Sequence, residues 1–372
     1  MKMLDKRGIK YDRLSQPASQ PASQRNNYID FLRGIAAIGI IAIHTAFWGG
    51  RSYTPEWFWN ITLLLDVPFF FYLSGWASSY RSCDVVKTAR SLGGIWIKWI
   101  FFISVLAIFC YCSRLTPKTF EGIENFRDFC NNCFFNVSFK GFPVIAGSIW
   151  FMQYYFLVTI ANTIVLMFIQ NNSRSNKLKV TYMWLLLIGF MWVNYGKFLF
   201  GMNDLYILFY SFFWMLGFNR VGSIKSRIGV IVALMLCAGG YIITSYLQDL
   251  PIYDIQSAKF PPSLKYGFAS LVAIIIIKHL EKLGGQFNCF INHIGRNAIF
   301  YYFAQGIGSS LNYYVVDIIE LSNWFVKWCI TFVVNVFITV CIAESLRKLY
   351  ILVIFLYNCC IQLVNKKMSF KR

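Results

Sequence analysis

YIDFLRGIAAIGIIAIHTAFW, residues 28–48, decides the fold class. Only three ionisable side chains, Asp30, Arg33 and His44, interrupt an otherwise apolar and aromatic run. The hydrocarbon core of a bilayer is about 30 Å thick, so a helix that crosses it needs roughly 20 mostly apolar residues. This stretch is long enough and shows no strict apolar–polar alternation, which excludes a barrel strand and leaves a spanning helix. Working outward, similar runs fall at about 58–79, 95–112, 149–170, 181–195, 203–219, 228–247, 266–281, 297–315 and 323–343, with the first at about 29–48. The expectation is an all-α, polytopic integral membrane bundle of about ten transmembrane helices.

Composition agrees. Of 372 residues, 57% are hydrophobic, 19% aromatic and 14% charged, against about 25% charged in a soluble domain. This excludes a soluble enzyme and a disulfide scaffold. The formal charge of +19 would fit nucleic acid or an anionic surface, but the basic residues sit in short clusters between apolar runs. No nucleic-acid partner is expected; the lipid bilayer is. With ten spans, 25 of the 35 basic residues fall on the side of the termini, eight on the other, and Arg33 and Lys327 within spans. The positive-inside rule then puts both termini in the cytoplasm. Within the spans Asp30 and Asp66 balance Arg33 and Lys327.

Three segments lie outside this pattern. Residues 1–27 contain the repeat SQPASQPASQ (15–24) and no apolar core, which reads as a disordered cytoplasmic tail. Residues 349–372 form an apolar segment ending in Lys366, Lys367, Lys371 and Arg372. Crossing the membrane would carry those charges outward, so an interfacial helix or a cytoplasmic continuation of the last helix is expected. Cys130 and Cys133 form a CxxC in the largest external loop, compatible with a disulfide. No His lies near them, which counts against zinc, and no metal site is expected elsewhere.

The ionisable residues of the first span carry the chemistry. Asp30 and Arg33 are one turn apart and can pair. Arg33 and His44 are eleven residues apart, about 20° past three full turns, so both project from one face about 16 Å apart along the axis. Gly34 lies close by and permits close approach of a neighbouring helix or a slender ligand. Asp30 and Arg33 fit an interfacial anchor as well as a site. His44 is the only histidine within a span, His279 and His293 falling at cytoplasmic ends; a structural hydrogen bond and a general-base role both suit it. Asp66 precedes Pro68 in the second span, where a carboxylate can cap the helix or meet a partner. Ser74 and Gly75 suit tight helix packing. No nucleophile elbow, phosphate-binding loop or paired metal-ligand motif is present.

Together these residues resemble acyltransferase family 3, integral-membrane acyltransferases of surface polysaccharides and lipids. Arg33 and His44 match its first-helix Arg-x10-His signature. DVPFFFYLSGW (66–76) is similar to its second-helix motif, SIWFMQYY (148–155) to the Trp-containing opening of a later helix, and SAKFPPSL (257–264) to a Phe-Pro-Pro element of one branch. The resemblance spans about residues 28–345, implies a transmembrane acyltransferase domain over 28–348, and fits the stand-alone form. Many members carry a Ser and, seven residues later, a His in a late helix; IGRNAIFYYFAQG (294–306) has Ala298 and Gln305 there.

The resemblance implies an O-acyltransferase, most simply an O-acetyltransferase, in a bacterial inner membrane. It would use acetyl-CoA or another acyl-CoA as donor substrate, with no permanently bound cofactor, and a sugar hydroxyl of O-antigen, exopolysaccharide or a lipid-linked glycan as acceptor. It implies His44 as general base or acyl relay, Arg33 as donor-binding cation and Asp30 as its holder. Asp66, Ser74, Gly75, Trp150 and Gln305 become candidate substrate-binding residues. Trp48, Trp57 and Trp59 suit sugar stacking or an interfacial belt. Two alternatives are a glycan or lipid transporter, for which no internal repeat is found, and a glycan polymerase. A polymerase would want a strongly basic external side, whereas eight basic residues face nine acidic ones there.

Overall fold

The computed structural model describes residues 26–81, 83–113, 142–170, 172–195, 202–222, 224, 226–281 and 290–369. The tail as far as Arg25 and the Cys130–Cys133 pair lie outside the described residues. Among those described, the structure is helical with no strands, and each of the ten expected spans contains a helix.

α1 (Asn27–His44) starts at Asn26, whose side chain accepts from the N–H groups of Tyr28 and Ile29, satisfying two of the orphan donors of a first turn. It continues as a π-helical turn over Thr45–Gly49. The second span is broken: α2 (Glu56–Thr62), a 3-10 turn (Leu63–Leu65), Asp66 in extended conformation, then α3 (Val67–Ser78). Pro68 at the start of α3 accounts for the break, since it supplies no N–H and is tolerated only in a first turn. There follow α4 (Val85–Ser113), α5 (Pro143–Gln170), α6 (Ser175–Tyr195), α7 (Met202–Phe218), α8 (Arg227–Leu247), α9 (Leu264–Leu280), α10 (Phe290–Arg296), α11 (Ala298–Ile318) and α12 (Trp324–Ser369).

Six of these spans, with α2 and α3 taken as one, are long and apolar enough to cross a membrane. The others are shorter or carry polar faces, and in α11 the polar face is buried. Gln305, Ser309, Ser310 and Asn312 are all at most 2% exposed. Asn335 of α12 donates to Ser309 Oγ (3.0 Å) and to Thr45 Oγ1 (2.9 Å), so part of that face is satisfied by protein. Polar groups withdrawn from lipid in this way lower hydropathy without exposing a donor.

Two close crossings fix the frame. Gly75 of α3 faces the backbone of Trp214, and Gly217 of α7 faces that of Tyr72; a Cβ at either would fall on a carbonyl. Gly34 and Gly295 do the same for α1 against α10, so the neighbour that Gly34 admits is a helix. The apolar stretch of α12 runs over Trp324–Gln362, 39 residues, about 58 Å of helix and nearly twice a hydrocarbon core. Residues 349–362 are therefore a continuation of that helix, and 351–357 are exposed.

Candidate functional site

Arg33 and His44 open into two different cavities. The first, about 450 Å³, is lined by Arg33, Arg81, Lys87, Lys98 and Arg296 together with Ser74, Ser78 and Cys83. The second, about 220 Å³, is lined by His44, Trp48, Asp66, Trp150 and Lys259. Phe70, Phe151 and Tyr302 line both and form the wall between them. The Phe151 ring centroid lies 5.9 Å from that of Phe70 and 5.6 Å from that of Tyr302, and the Tyr302 hydroxyl donates to Ser148 O.

The first cavity is strongly basic. Arg33 Nη1 lies 3.6 Å from Asp30 Oδ1, the pair expected from their spacing, and Arg296 Nε lies 3.6 Å from Asp30 Oδ2. The carboxylate is almost fully buried, while the two guanidinium side chains are 35% and 44% exposed. Asp30 therefore anchors two cations whose heads reach the cavity. Ser74 also lines it, its Oγ donating to Tyr155 (3.5 Å). Gly75 lines neither cavity, because its bare backbone is spent on the contact with Trp214.

His44 ends α1 where the helix widens into the π-turn, a deviation often found at functional positions. Its Nδ1 lies 2.5 Å from Gln305 Oε1. A carbonyl oxygen only accepts, so Nδ1 carries the hydrogen and Nε2 keeps its lone pair. Gln305, expected to bind substrate, thus sits on the histidine itself, at the position where many acyltransferases of the resembling family have their second His.

Asp66 does not cap α3, since its side chain makes no cap bond. It is 1% exposed, its Oδ2 accepting from Tyr266 (2.8 Å) and lying 2.6 Å from Lys259 Nζ. Lys327, which with Arg33 balances Asp30 and Asp66 in the charge count of the spans, lies over the Tyr53 ring at 4.9 Å. Lys259 is one of the eight basic residues that the ten-span reading places on the side away from the termini, in the connection between two helices. The loop folds back because Asn60 Oδ1 accepts from the N–H groups of Ile255 (2.8 Å) and Gln256 (2.9 Å), which carries Lys259 inward. Trp150 lies in the same cavity, with Lys259 Nζ 5.9 Å from its ring. Of Trp48, Trp57 and Trp59 only Trp48 lines the cavity; Trp59 is buried against Phe47 and Arg51, and Trp57 packs on Trp324.

A helical membrane bundle with an Arg and a His on one face of its first helix, each in its own cavity, agrees with the family comparison: the acyltransferase 3 model, described as an acyltransferase domain, matches residues 26–344. The chain belongs to acyltransferase family 3. Neither a curated protein nor a solved structure matches it. As an acyltransferase of this family it is a multi-pass membrane enzyme, and the matched region stops within α12, before the exposed extension at 349–362.

Proposed function

We propose that this acyltransferase moves an acyl group, most simply acetyl, from acyl-CoA to a sugar hydroxyl of a cell-surface or lipid-linked glycan such as O-antigen or exopolysaccharide. The observation that carries this reading is the pair of cavities: a basic one and a smaller, aromatic one around His44, sharing a wall of three rings. Five cations suit the phosphates of a CoA nucleotide, and guanidinium groups match them in bidentate fashion. Four of them, Arg81, Lys87, Lys98 and Arg296, belong to the side of the chain that the positive-inside rule puts in the cytoplasm, where acyl-CoA is made. The pantetheine arm would reach past Phe70, Phe151 and Tyr302 to bring the thioester to His44.

There the Nε2 lone pair takes the proton of the acceptor hydroxyl while its oxygen attacks the thioester carbon. The C–O bond forms as the carbonyl electron pair moves onto oxygen. Collapse of that intermediate breaks the C–S bond, and the departing thiolate takes the proton from His44. The products are a glycan ester and free CoA, with His44 returned to its starting form. Trp48 and Trp150 offer faces on which a sugar ring can stack.

The test is expression of wild-type, His44→Ala and Arg33→Ala proteins in a polysaccharide-producing host lacking the gene. Ester acyl groups on the glycan are read by NMR. Acylation by the wild type alone, with all three proteins present in the membrane, supports the reading. Acylation retained by His44→Ala refutes the role of that residue, and glycan export without acyl-CoA consumption would make the protein a transporter.

A further inference from the structure

A lysine on the external side of a membrane protein ordinarily points to water. Lys259 does not: the residue is 8% exposed, and it lines the cavity of His44. Its loop is built to hold it there. A 3-10 turn over Gln256–Ala258, the Ser263 N–H bonded to Ala258 O (2.9 Å) and the two bonds to Asn60 fix the backbone on both sides. The ammonium lies 2.6 Å from Asp66 Oδ2 and 5.0 Å from the Phe260 ring centroid. An ammonium has three N–H donors. Among the described residues Asp66 is the one hydrogen-bond or ion-pair partner of the Lys259 ammonium, which leaves donors available to the cavity. Asp66 is itself held by the Tyr266 hydroxyl.

We propose that Lys259 is the oxyanion-stabilising residue of the His44 cavity, and that Asp66, braced by Tyr266, is the positioning residue that holds it. This rests on the reading of acyl transfer at His44. As the acceptor oxygen bonds to the thioester carbon, the carbonyl electron pair moves onto its oxygen and the Lys259 ammonium neutralises the charge. When the C–S bond breaks, that pair returns to re-form the carbonyl and the ammonium is released unchanged. A cation fixed in place acts where charge develops in the transition state, with little reorganisation. Its contribution therefore falls on kcat.

The test uses full-length protein in detergent, acetyl-CoA as donor and the lipid-linked glycan fraction of its host as acceptor, with CoA thiol release and glycan acetylation both followed. Lys259→Met is expected to lower kcat by about 100- to 1000-fold, with KM for acetyl-CoA unchanged, while Lys259→Arg keeps part of the rate. Lys259→Met leaves Asp66 buried without its counter-ion and can fail to fold. The double variant Lys259→Met/Asp66→Asn removes both charges and is expected to fold yet remain as slow. Recovery of the wild-type kcat in the double variant overturns the proposal, making Lys259 only a counter-ion. So does an effect confined to KM for the acceptor. His44→Ala separates the two readings. If it abolishes transfer while the Lys259 variants do not, the oxyanion role alone fails; if it retains transfer, both fail.

Discussion

Gln305→Leu isolates the one hydrogen bond that gives His44 its direction. In the native site the Nδ1 hydrogen points at Gln305 Oε1 at 2.5 Å, and Gln305 is 1% exposed, so no bulk water replaces a lost acceptor. Leucine has similar bulk and no acceptor. The Nδ1 hydrogen then becomes a buried orphan at a cost of about 1–3 kcal/mol. The imidazole escapes that cost by moving its hydrogen to Nε2, the nitrogen that must stay unprotonated to act as base. At 1.4 kcal/mol per factor of ten, the productive tautomer falls by about 5- to 150-fold, and kcat should fall with it. Gln305→Glu is the informative companion. A carboxylate can only accept, so it retains the Nδ1–H tautomer and should keep far more activity than leucine. Both variants are purified in detergent, checked for monodispersity and thermal stability, and assayed by CoA thiol release. A Gln305→Leu protein with wild-type kcat, or a glutamate variant slower than the leucine one, refutes the assignment of Gln305 as the acceptor that orients His44.

Three further outcomes follow from the same geometry. Arg33→Gln leaves Asp30 paired with Arg296 and should raise KM for acetyl-CoA by about tenfold or more, the loss of one charge-assisted hydrogen bond; because these cations are partly exposed, raising NaCl from low to high ionic strength should raise the wild-type KM in the same sense, as steady-state kinetics will show. Gly75→Ala places a methyl on the Trp214 carbonyl and should cost at least about 1–3 kcal/mol through overpacking, seen as a lowered melting temperature in detergent. Cys83, in the wall of the basic cavity, should react with maleimide in a single-cysteine variant and be protected by CoA. Burial pushes its thiol above the ordinary range, so labelling should go on accelerating with pH up to and beyond 9.

The first helix was the most legible part of the chain, because an eleven-residue spacing fixes a common face whatever surrounds it. That spacing says nothing of what lies between two side chains, so the division into two cavities by Phe70, Phe151 and Tyr302 could not be read from it. Gln305 was visible only as a departure from a family pattern; its contact with His44 spans 261 residues of sequence and needs the packing of α1 on α11. Neither Lys259 nor Arg296 was recognisable in the sequence as a cavity residue, for a single reason. Each lies in or beside a polar connection, where a cation reads as a topology marker, and only a folded loop or a glycine-mediated helix contact turns it inward. The clue for Lys259 was the SAKFPPSL element around it. A charge count within the apolar runs names no partners, and the cation beside Asp66 comes from a loop.

Charge inside a bilayer costs at least about 2.5–3.5 kcal/mol per side chain at a helix centre, and a buried ion pair rarely outperforms apolar packing of the same volume. Two such pairs therefore need a reason other than stability. In both, a carboxylate with 1% exposure holds a cation that lines a cavity: Asp30 with Arg33 and Arg296 at one, Asp66 with Lys259 at the other. The arrangement treats the carboxylate as a bracket and the cation as the working group. If so, neutralising each bracket without changing its size should disturb a different kinetic parameter. Asp30→Asn loosens the cations of the basic cavity and should raise KM for acetyl-CoA with little change in kcat. Asp66→Asn loosens the cation beside His44 and should lower kcat with little change in that KM. Removing a carboxylate from a purely structural pair moves neither parameter selectively; it lowers the amount of folded protein. A common loss of folded enzyme in both variants, with kcat and KM of the remainder unchanged, is the result that would reduce the two pairs to structural features.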